Sequence, residues 1–215
     1  MSRGRAGGSG ARGEAIAGPT PQLSLDFANT LAWRGSAPAE SIHGFRELID
    51  WLAGAGCLTP REAAQAHAWS RRFPAPASAV LAAALDLREA IYSALRRLTS
   101  GSGPSHDAIG RLNRALADAP PRNVLTRVTA GLGWRVERDL TSAAGLLAPV
   151  LWSAADLLAG RQTERLRLCA NQKCLWLFLD DSKSATRRWC SMQACGNRAK
   201  AHQHYLRSKA AAFPQ

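Results

Sequence analysis

The sequence predicts an α+β fold that is mostly α: a helical N-terminal domain with a small β-hairpin, and a short C-terminal module built on cysteines. Apolar residues recur at helical spacing in several stretches between residues 22 and 160. Within that region, residues 123–138 change to β-favouring residues interrupted by glycines. Beyond residue 160, four of the five cysteines lie in two close pairs.

These observations divide the chain into three parts. Residues 1–21 are rich in Gly and Arg and contain a single isolated Ile, which predicts a flexible basic tail. Residues 22–160 form the helical domain, and residues 161–210 form the cysteine module. With 215 residues, 46% of them apolar, the chain is long enough for one domain plus a small appended module.

Capping signals and periodicity give the elements of the N-terminal domain. Thr59, Pro60 and Glu62 predict a helix start, because the Thr can cap, the Pro suits the first turn and the Glu completes a capping box. The predicted helices span residues 41–53, 60–72, 78–100, 105–117 and 142–160, and the predicted strands span 123–129 and 134–138 around a turn at 131–133.

The net charge of +12 is concentrated near the C-terminus. Residues 161–215 hold 11 Lys and Arg against 3 Asp and Glu, a net +8, and residues 1–160 hold the other 17 and 13, a net +4. An anionic partner is therefore expected. The most apolar segment, residues 145–160, is too short to span a bilayer, so we expect no membrane insertion. No secretory signal is visible, which predicts a cytoplasmic protein.

The C-terminal cysteines follow the pattern Cys169-x4-Cys174-x15-Cys190-x4-Cys195. Two close pairs separated by a short insertion suit a tetrahedral four-thiolate zinc site, because each pair forms a knuckle that offers two sulfurs. Predicted strands at residues 165–168 and 175–179 flank the first knuckle, and the second knuckle opens a predicted helix. The sequence therefore predicts a treble-clef-like module with one structural Zn²⁺.

Other interpretations of the cysteines fit the pattern less well. The alternatives are four free thiols, a redox pair, or substitution of one ligand by His202 or His204. Neither cysteine pair has the two-residue spacing that favours redox chemistry. Four thiolates leave no coordination position open for water, which disfavours a catalytic zinc. Cys57, alone in the N-terminal domain, is interpreted as a buried thiol.

The helix predicted after Cys195 is basic. Such a helix on a small zinc scaffold suits phosphate contact and insertion into a major groove, whereas the alternative is a solvated charged face. The candidate nucleic-acid-binding residues are Lys183, Arg187, Arg188, Arg198, Lys200, His202, Arg207 and Lys209. Trp176 and Phe178 either stack on bases or pack against the helical domain, and packing is the favoured interpretation.

The Cys-Gly-Asn-Arg run at 195–198, with Met192 before it, resembles the CGNR zinc-finger family. The upstream region resembles the ABATE domain that accompanies this finger, through Leu-Asp-Phe-Ala-Asn-Thr at 25–30 and a helix-rich layout. The resemblance implies a bacterial, stress-responsive transcription regulator whose finger binds DNA and whose N-terminal domain senses a small molecule. It also implies that the four cysteines are the zinc ligands.

Some residues of the two motifs have open roles. Asp26 and Asn29 are candidates for lining a ligand pocket, and the alternative is that they cap a helix or bridge a turn. Arg198 is a candidate for contacting phosphate or a guanine edge, whereas Asn197 is expected to bond backbone around the knuckle. Gly196 is predicted to allow a tight backbone path beside the metal.

The predicted function is DNA-binding transcription regulation in response to stress or a ligand. An RNA-binding protein or a protein-interaction adaptor that uses the same finger is the alternative, because DNA and RNA attract a basic surface alike. No enzyme is predicted, since the chain has no phosphate-binding glycine loop, metalloprotease motif or nucleophile elbow. A single short finger reads few bases, so we expect a homodimer.

Overall fold

The computed structural model describes residues 14–128, 131–201 and 208. Most of the described chain is helical and the sheets are small, so the predicted fold class is confirmed. The helices are α1 (Pro21–Ala28), α2 (Phe45–Gly54), α3 (Pro60–Arg72), α4 (Pro74–Thr99), α5 (His106–Asp118), α6 (Ala143–Leu146) and α7 (Ala148–Ala159). The strands are β1 (Glu14–Ala17), β2 (Leu31–Ala32), β3 (Ala39–Glu40), β4 (Leu125–Val128), β5 (Gly131–Val136), β6 (Leu166–Leu168) and β7 (Leu177–Leu179). In these described segments, no helix is long and apolar enough to cross a membrane.

The helix start predicted at Thr59 is confirmed. The Thr59 hydroxyl accepts a hydrogen bond from the Glu62 N–H at 3.2 Å, and the Glu62 carboxylate accepts one from the Thr59 N–H at 2.8 Å. Pro60 occupies the first turn of α3. Helix α4 begins at Pro74, four residues before its predicted start at 78, because proline also suits the first turn of a helix.

The helix predicted over residues 142–160 is divided into α6 and α7. Of the two candidate caps in the sequence, Thr141 and Ser142, it is Ser142 that caps α6, since its hydroxyl accepts a hydrogen bond from the Gly145 N–H at 3.1 Å. Pro149 lies in the first turn of α7 and has no N–H to donate to the Gly145 carbonyl. The hydrogen-bond ladder is therefore interrupted at Leu147, between the two helices.

Strand β1 corrects the prediction of a tail over residues 1–21. Residues 14–17 pair antiparallel with β5, which also pairs with β4, so the sheet order is β1-β5-β4. Ile16 is buried with Val136, Ala148 and Trp152, and this long-range contact is invisible in local composition. Residues 1–13 lie outside the described chain.

The glycines predicted to form the hairpin turn belong to β5 instead. Gly133 lies so close to the neighbouring strands that a Cβ there would be 2.3 Å from the Ile16 carbonyl oxygen and 2.6 Å from the Val128 side chain. Glycine is therefore required at position 133 because the two neighbouring strands come close to it, and not because of the conformation of the turn. The residues between β4 and β5, 129–130, lie outside the described chain.

One apolar core joins the helices to the cysteine module. Helix α4 contacts α1, α2, α3, α5 and α6 as well as β6 and β7. Leu166 of β6 and Leu177 of β7 are buried in the same cluster as Ile91 and Leu95 of α4. Burying a leucine side chain contributes about 1.5–3 kcal/mol. The module is therefore held against the helices by a shared hydrophobic surface.

A buried arginine network fixes the segment between α1 and α2. Arg88 of α4 donates to Glu40 at 2.7 Å and to Glu89 at 2.9 Å, and Arg34 donates to Glu89 at 2.6 and 3.0 Å. Burial disfavours these charges, but their mutual hydrogen bonds outweigh it, so the pKa of Glu89 is lowered and the pKa of Arg88 is raised. Arg34 also lies 3.9 Å from the centre of the Tyr92 ring.

Asn29, at the end of α1, completes the outer edge of β7. Its side-chain amide donates to the Leu177 carbonyl at 2.8 Å, and the Leu177 N–H donates to the Asn29 side-chain oxygen at 3.1 Å. Both residues are buried. Because β6 pairs with β7 on the other side, the Asn29 side chain takes the place of a neighbouring strand.

We expect Asn29→Ala to destabilise the protein by about 2–4 kcal/mol, because it leaves two buried backbone groups of Leu177 without partners. The measurement is the free energy of unfolding from urea denaturation of the zinc-loaded protein. Asp26→Ala, on the exposed side of the same helix, is the control and should change stability by no more than about 0.5 kcal/mol. Equal decreases in stability for the two variants would contradict this role of Asn29.

Candidate metal centre and nucleic-acid interface

The first cysteine knuckle lies in the turn of the β6–β7 hairpin. The strands pair antiparallel with Leu166 opposite Leu179, which brings the two ends of the connecting segment together. The Cys169 N–H donates to the Trp176 carbonyl at 2.9 Å, and the Cys174 N–H donates to the Asn171 carbonyl at 2.8 Å. These bonds turn both sulfurs toward the same side of the hairpin.

The second knuckle opens a helix, as predicted. Cys190 precedes a π-helical turn at Met192–Gly196, and residues 197–201 continue it as α-helix. The Ser191 hydroxyl caps the turn by accepting from the Ala194 N–H at 3.3 Å. The φ of Gly196 is not positive, so its backbone conformation does not by itself require glycine. A Cβ at this position would instead lie 2.5 Å from the Met192 sulfur, which packs against the glycine.

The four cysteine sulfurs form one cluster. All four Sγ atoms lie within 4.8 Å of one another, and Cys190 Sγ is 3.8 Å from both Cys174 Sγ and Cys195 Sγ. Tetrahedral zinc with Zn–S bonds of about 2.3 Å places its sulfurs ~3.8 Å apart. The donor set therefore fits one structural zinc ion, and the predicted cofactor is confirmed.

Three of the clustered thiols differ in acidity. Hydrogen bonding with Cys190 lowers the pKa of Cys169 to about 5, and hydrogen bonding with Cys169 raises the pKa of Cys190 far above its usual range. Burial raises the pKa of Cys174 to about 12. Cys169 therefore ionises before Cys174 and Cys190, and a metal that binds the thiolates of Cys174 and Cys190 must displace their protons.

Asp180 organises the segment between the knuckles. Its buried carboxylate accepts hydrogen bonds from the Ser182 hydroxyl at 2.6 Å, the Ser182 N–H at 3.0 Å and the Arg187 N–H at 2.8 Å. The Ser182 hydroxyl in particular holds the pKa of Asp180 below its ordinary value. This role is absent from the sequence predictions, although Asp-x-Ser is the signature of an Asx turn.

Residues 33–36 hold the first knuckle against the helical part. The Gly35 N–H donates to the Lys173 carbonyl at 3.2 Å, and the Tyr92 hydroxyl donates to the Leu175 carbonyl at 2.8 Å. A Cβ on Gly35 would lie 1.8 Å from the Gln172 carbonyl oxygen, so only glycine allows this approach. We call this contact between residues 33–36, Tyr92 and the first knuckle the seam. No sequence pattern predicts it, because its residues lie far apart in the chain.

Two protein-family models match consecutive parts of the chain. The ABATE family model, described as "Putative stress-induced transcription regulator", matches residues 22–161. The chain belongs to the ABATE family. A second model, the CGNR zinc finger, matches residues 165–208 and contains all four cysteines. The resemblance to both families is therefore confirmed, and neither is an enzyme family. No curated protein matches the chain.

The candidate nucleic-acid-binding residues of this ABATE protein have different surroundings. The exposed ones are Lys183, Arg187, Arg188, Arg198 and Lys200. The Arg187 guanidinium donates to the carbonyl oxygens of Trp189 and Cys190 and lies 4.7 Å from the centre of the Phe178 ring, so it braces the second knuckle. His202, Arg207 and Lys209 lie outside the described residues. Of the two aromatics considered for stacking, Phe178 is buried in the cysteine cluster and Trp176 is 40% exposed.

Asp26 and Asn29 line a cavity of about 250 Å³ between α1 and the zinc finger. Trp176 and Cys190 also line it, so the cavity adjoins the metal centre. Asn29 is the C-terminal capping residue of α1, and its backbone N–H donates to the Leu25 carbonyl at 2.9 Å. Its side-chain amide takes no part in this cap, because the Leu177 backbone occupies it. Ligand binding at this cavity remains a prediction.

We expect Cys190→Ser to release the zinc and unfold the C-terminal module, because a structural zinc replaces a core too small to fold alone. Zinc stoichiometry and far-UV circular dichroism of the purified variant measure this. Cys57→Ala is the control, since Cys57 lies in the helical core and should leave the zinc content unchanged. A Cys190→Ser protein with one bound zinc and an unaltered spectrum would refute the four-cysteine site.

Gly35→Ala should destabilise the protein by about 1–3 kcal/mol, because its Cβ would overlap the backbone of the first knuckle. Urea denaturation, with zinc release followed in the same samples, gives the measurement. Gly54→Ala is the matched control, because a Cβ at that position meets no atom within 4 Å. If both glycine variants unfold at the wild-type urea concentration, the seam does not depend on Gly35.

Proposed function

We propose that this chain is a cytoplasmic DNA-binding transcription regulator in which the zinc finger, residues 161–210, contacts the duplex. The supporting observation is the absence of acidic residues from the sequence segment that contains the second knuckle. From residue 182 to 215 the sequence contains seven Lys and Arg and no Asp or Glu. A segment with charges of one sign attracts the phosphate backbone strongly. The family description supports regulation but leaves the contacts with DNA to be tested.

The described side chains support a division of roles within the basic surface. Lys183, Arg188 and Lys200 are exposed and have no acidic partner within the described chain, which leaves them available to phosphate. Arg198 lies 4.9 Å from the centre of the Trp33 ring, so its guanidinium is held over the seam while it stays exposed. Arg stacked on an aromatic ring is pre-positioned for bidentate contact with phosphate or guanine.

The helical domain, residues 22–160, carries regulation in this proposal. The cavity lined by Asp26 and Asn29 adjoins Cys190, and Ser191 also lines it, so an effector bound there would touch the start of the finger helix. A homodimer would double the number of bases read by a short finger. RNA and a protein partner are the alternatives to DNA, and titration with nucleic acids distinguishes the three.

Fluorescence-anisotropy titration of the zinc-loaded protein with its own upstream DNA and with a random duplex tests the proposal. At about 50 and about 200 mM salt, we expect binding to the upstream DNA to survive while binding to the random duplex falls away. Arg188→Gln with Lys200→Gln should weaken binding to both duplexes. The same variant should reduce the salt slope by about 1 for each phosphate that is no longer neutralised.

Arg71→Gln with Arg72→Gln is the matched control, because it removes the same charge from the exposed end of α3. If all variants bind both duplexes equally and with a steep salt dependence, then the finger binds DNA only through general electrostatic attraction and not sequence-specifically. Tighter binding of structured RNA at matched salt would identify RNA as the partner. The absence of any nucleic-acid binding at about 200 mM salt would favour a protein-interaction adaptor.

A further inference from the structure

A second cavity lies at the seam between α4 and the first knuckle. Its volume is about 750 Å³, within the range typical of small-molecule sites. One wall is the C-terminal half of α4, which presents Ser93, Arg96 and Arg97. The opposite wall is apolar and comes from Leu168 and Leu175, on either side of the first zinc knuckle.

The lining of this cavity carries an excess of positive charge. It contains three arginines and one acidic residue, Glu89. Glu89 is already neutralised, because Arg34 donates to it at 2.6 and 3.0 Å and Arg88 donates to it at 2.9 Å. Within the described chain neither Arg96 nor Arg97 forms an ion pair, so two guanidinium groups face the cavity without a counter-charge.

The free donors lie on one face of the helix. Ser93, Arg96 and Arg97 are at positions i, i+3 and i+4, which places their side chains side by side. The Ser93 hydroxyl and the Arg96 guanidinium have no hydrogen-bond partner among the described residues, and Arg97 donates only its Nε, to the Gly103 carbonyl at 2.7 Å. Arg34, which also lines the cavity, is held in place by hydrogen bonds to Glu89 and the Ala28 carbonyl and by its contact with the Tyr92 ring.

We propose that this cavity binds a small organic molecule with two or more linked phosphate groups. Arg96 and Arg97 would contact the phosphates, Ser93 would add a hydroxyl donor, and Leu168 and Leu175 would cover the organic part. Paired guanidinium groups suit phosphate because each offers a planar fork of donors. Binding of a phosphorylated molecule to this cavity does not require that the protein binds DNA. The interpretation of that molecule as an effector of transcription rests on the proposed function.

A ligand in this position would touch both parts of the protein. The Tyr92 hydroxyl on α4 donates a hydrogen bond to the Leu175 carbonyl. This bond connects the basic wall of the cavity, formed by α4, to the apolar wall formed by the first knuckle. Binding therefore favours the docked arrangement of the first knuckle, because the ligand contacts both walls only when they are together.

The basic residues of α4 also stabilise the helix itself, and the test must separate this role from ligand binding. Arg96 and Arg97 lie in the last turn, where cations interact favourably with the helix dipole. Arg71 and Arg72 lie in the last turn of α3 and have the same relation to their helix, but they do not line this cavity. The variant Arg71→Gln with Arg72→Gln is therefore a matched control.

The test is isothermal titration of the full, zinc-loaded protein with sodium pyrophosphate, at an ionic strength held constant with chloride. We expect saturable binding by the wild type and the α3 control, and at least about tenfold weaker binding by Arg96→Gln with Arg97→Gln. Arg96→Gln alone, which removes no side-chain hydrogen bond or ion pair within the described protein, serves if the double variant loses zinc or helicity. Equal responses from all variants, or no saturable binding by the wild type, would overturn the proposal.

Duplex binding by the same variants distinguishes a small phosphorylated molecule from the DNA backbone. Without pyrophosphate, Arg96→Gln with Arg97→Gln should bind duplex DNA as the wild type does. If it loses duplex affinity as Arg188→Gln with Lys200→Gln does, then the cavity contacts DNA and the small-molecule proposal is wrong. If the wild type binds no duplex, the proposed function fails, while the pyrophosphate comparison still decides the cavity.

Discussion

Four sulfur atoms within 4.8 Å of one another determine the geometry of the whole C-terminal module. The module has strands of only three residues, and its own buried cluster consists of three of the cysteines and Phe178. The two knuckles face each other because a single tetrahedral ion binds all four thiolates. Since one knuckle turns a hairpin and the other begins a helix, the metal determines the angle at which the basic helix leaves the hairpin.

The metal explains how the finger folds, but the seam explains how it is oriented. Leu166 and Leu177 enter the helical core, Asn29 completes the edge of β7, and Gly35 allows two backbones to touch. Arg198, the last residue of the family's motif, lies over Trp33 from the other side of the same seam. The helical part therefore forms one wall of the surface that surrounds the zinc site.

Local signals predict most of the fold. The helix boundaries at Pro74 and Pro149 differ from prediction for local reasons, whereas the roles of Ile16, Gly133 and Asn29 depend on contacts between distant residues. The capping box at Thr59 and the cysteine spacing are complete within short segments, so sequence alone identifies them. Ile16 falls within the predicted tail because its partners lie more than a hundred residues away in the chain. Gly133 has the pattern of a turn residue because the approach of two neighbouring strands is a tertiary property. The motif at 25–30 marks Asn29, but its Leu177 partner cannot be inferred from sequence.

The edge of β7 that Asn29 completes has a consequence for how this finger can be exchanged between proteins. A fusion that transferred only the cysteine segment would expose the peptide groups of Leu177 to pairing with other strands. It would also expose the side chains of Leu166 and Leu177, which are buried in the core of the helical part. Exposed edges and apolar patches of this kind promote aggregation. A recombination event that kept the finger soluble would have to carry α1, α4 and residues 29–36 with it. Inheritance of the CGNR finger in this chain is thus tied to inheritance of the ABATE helices.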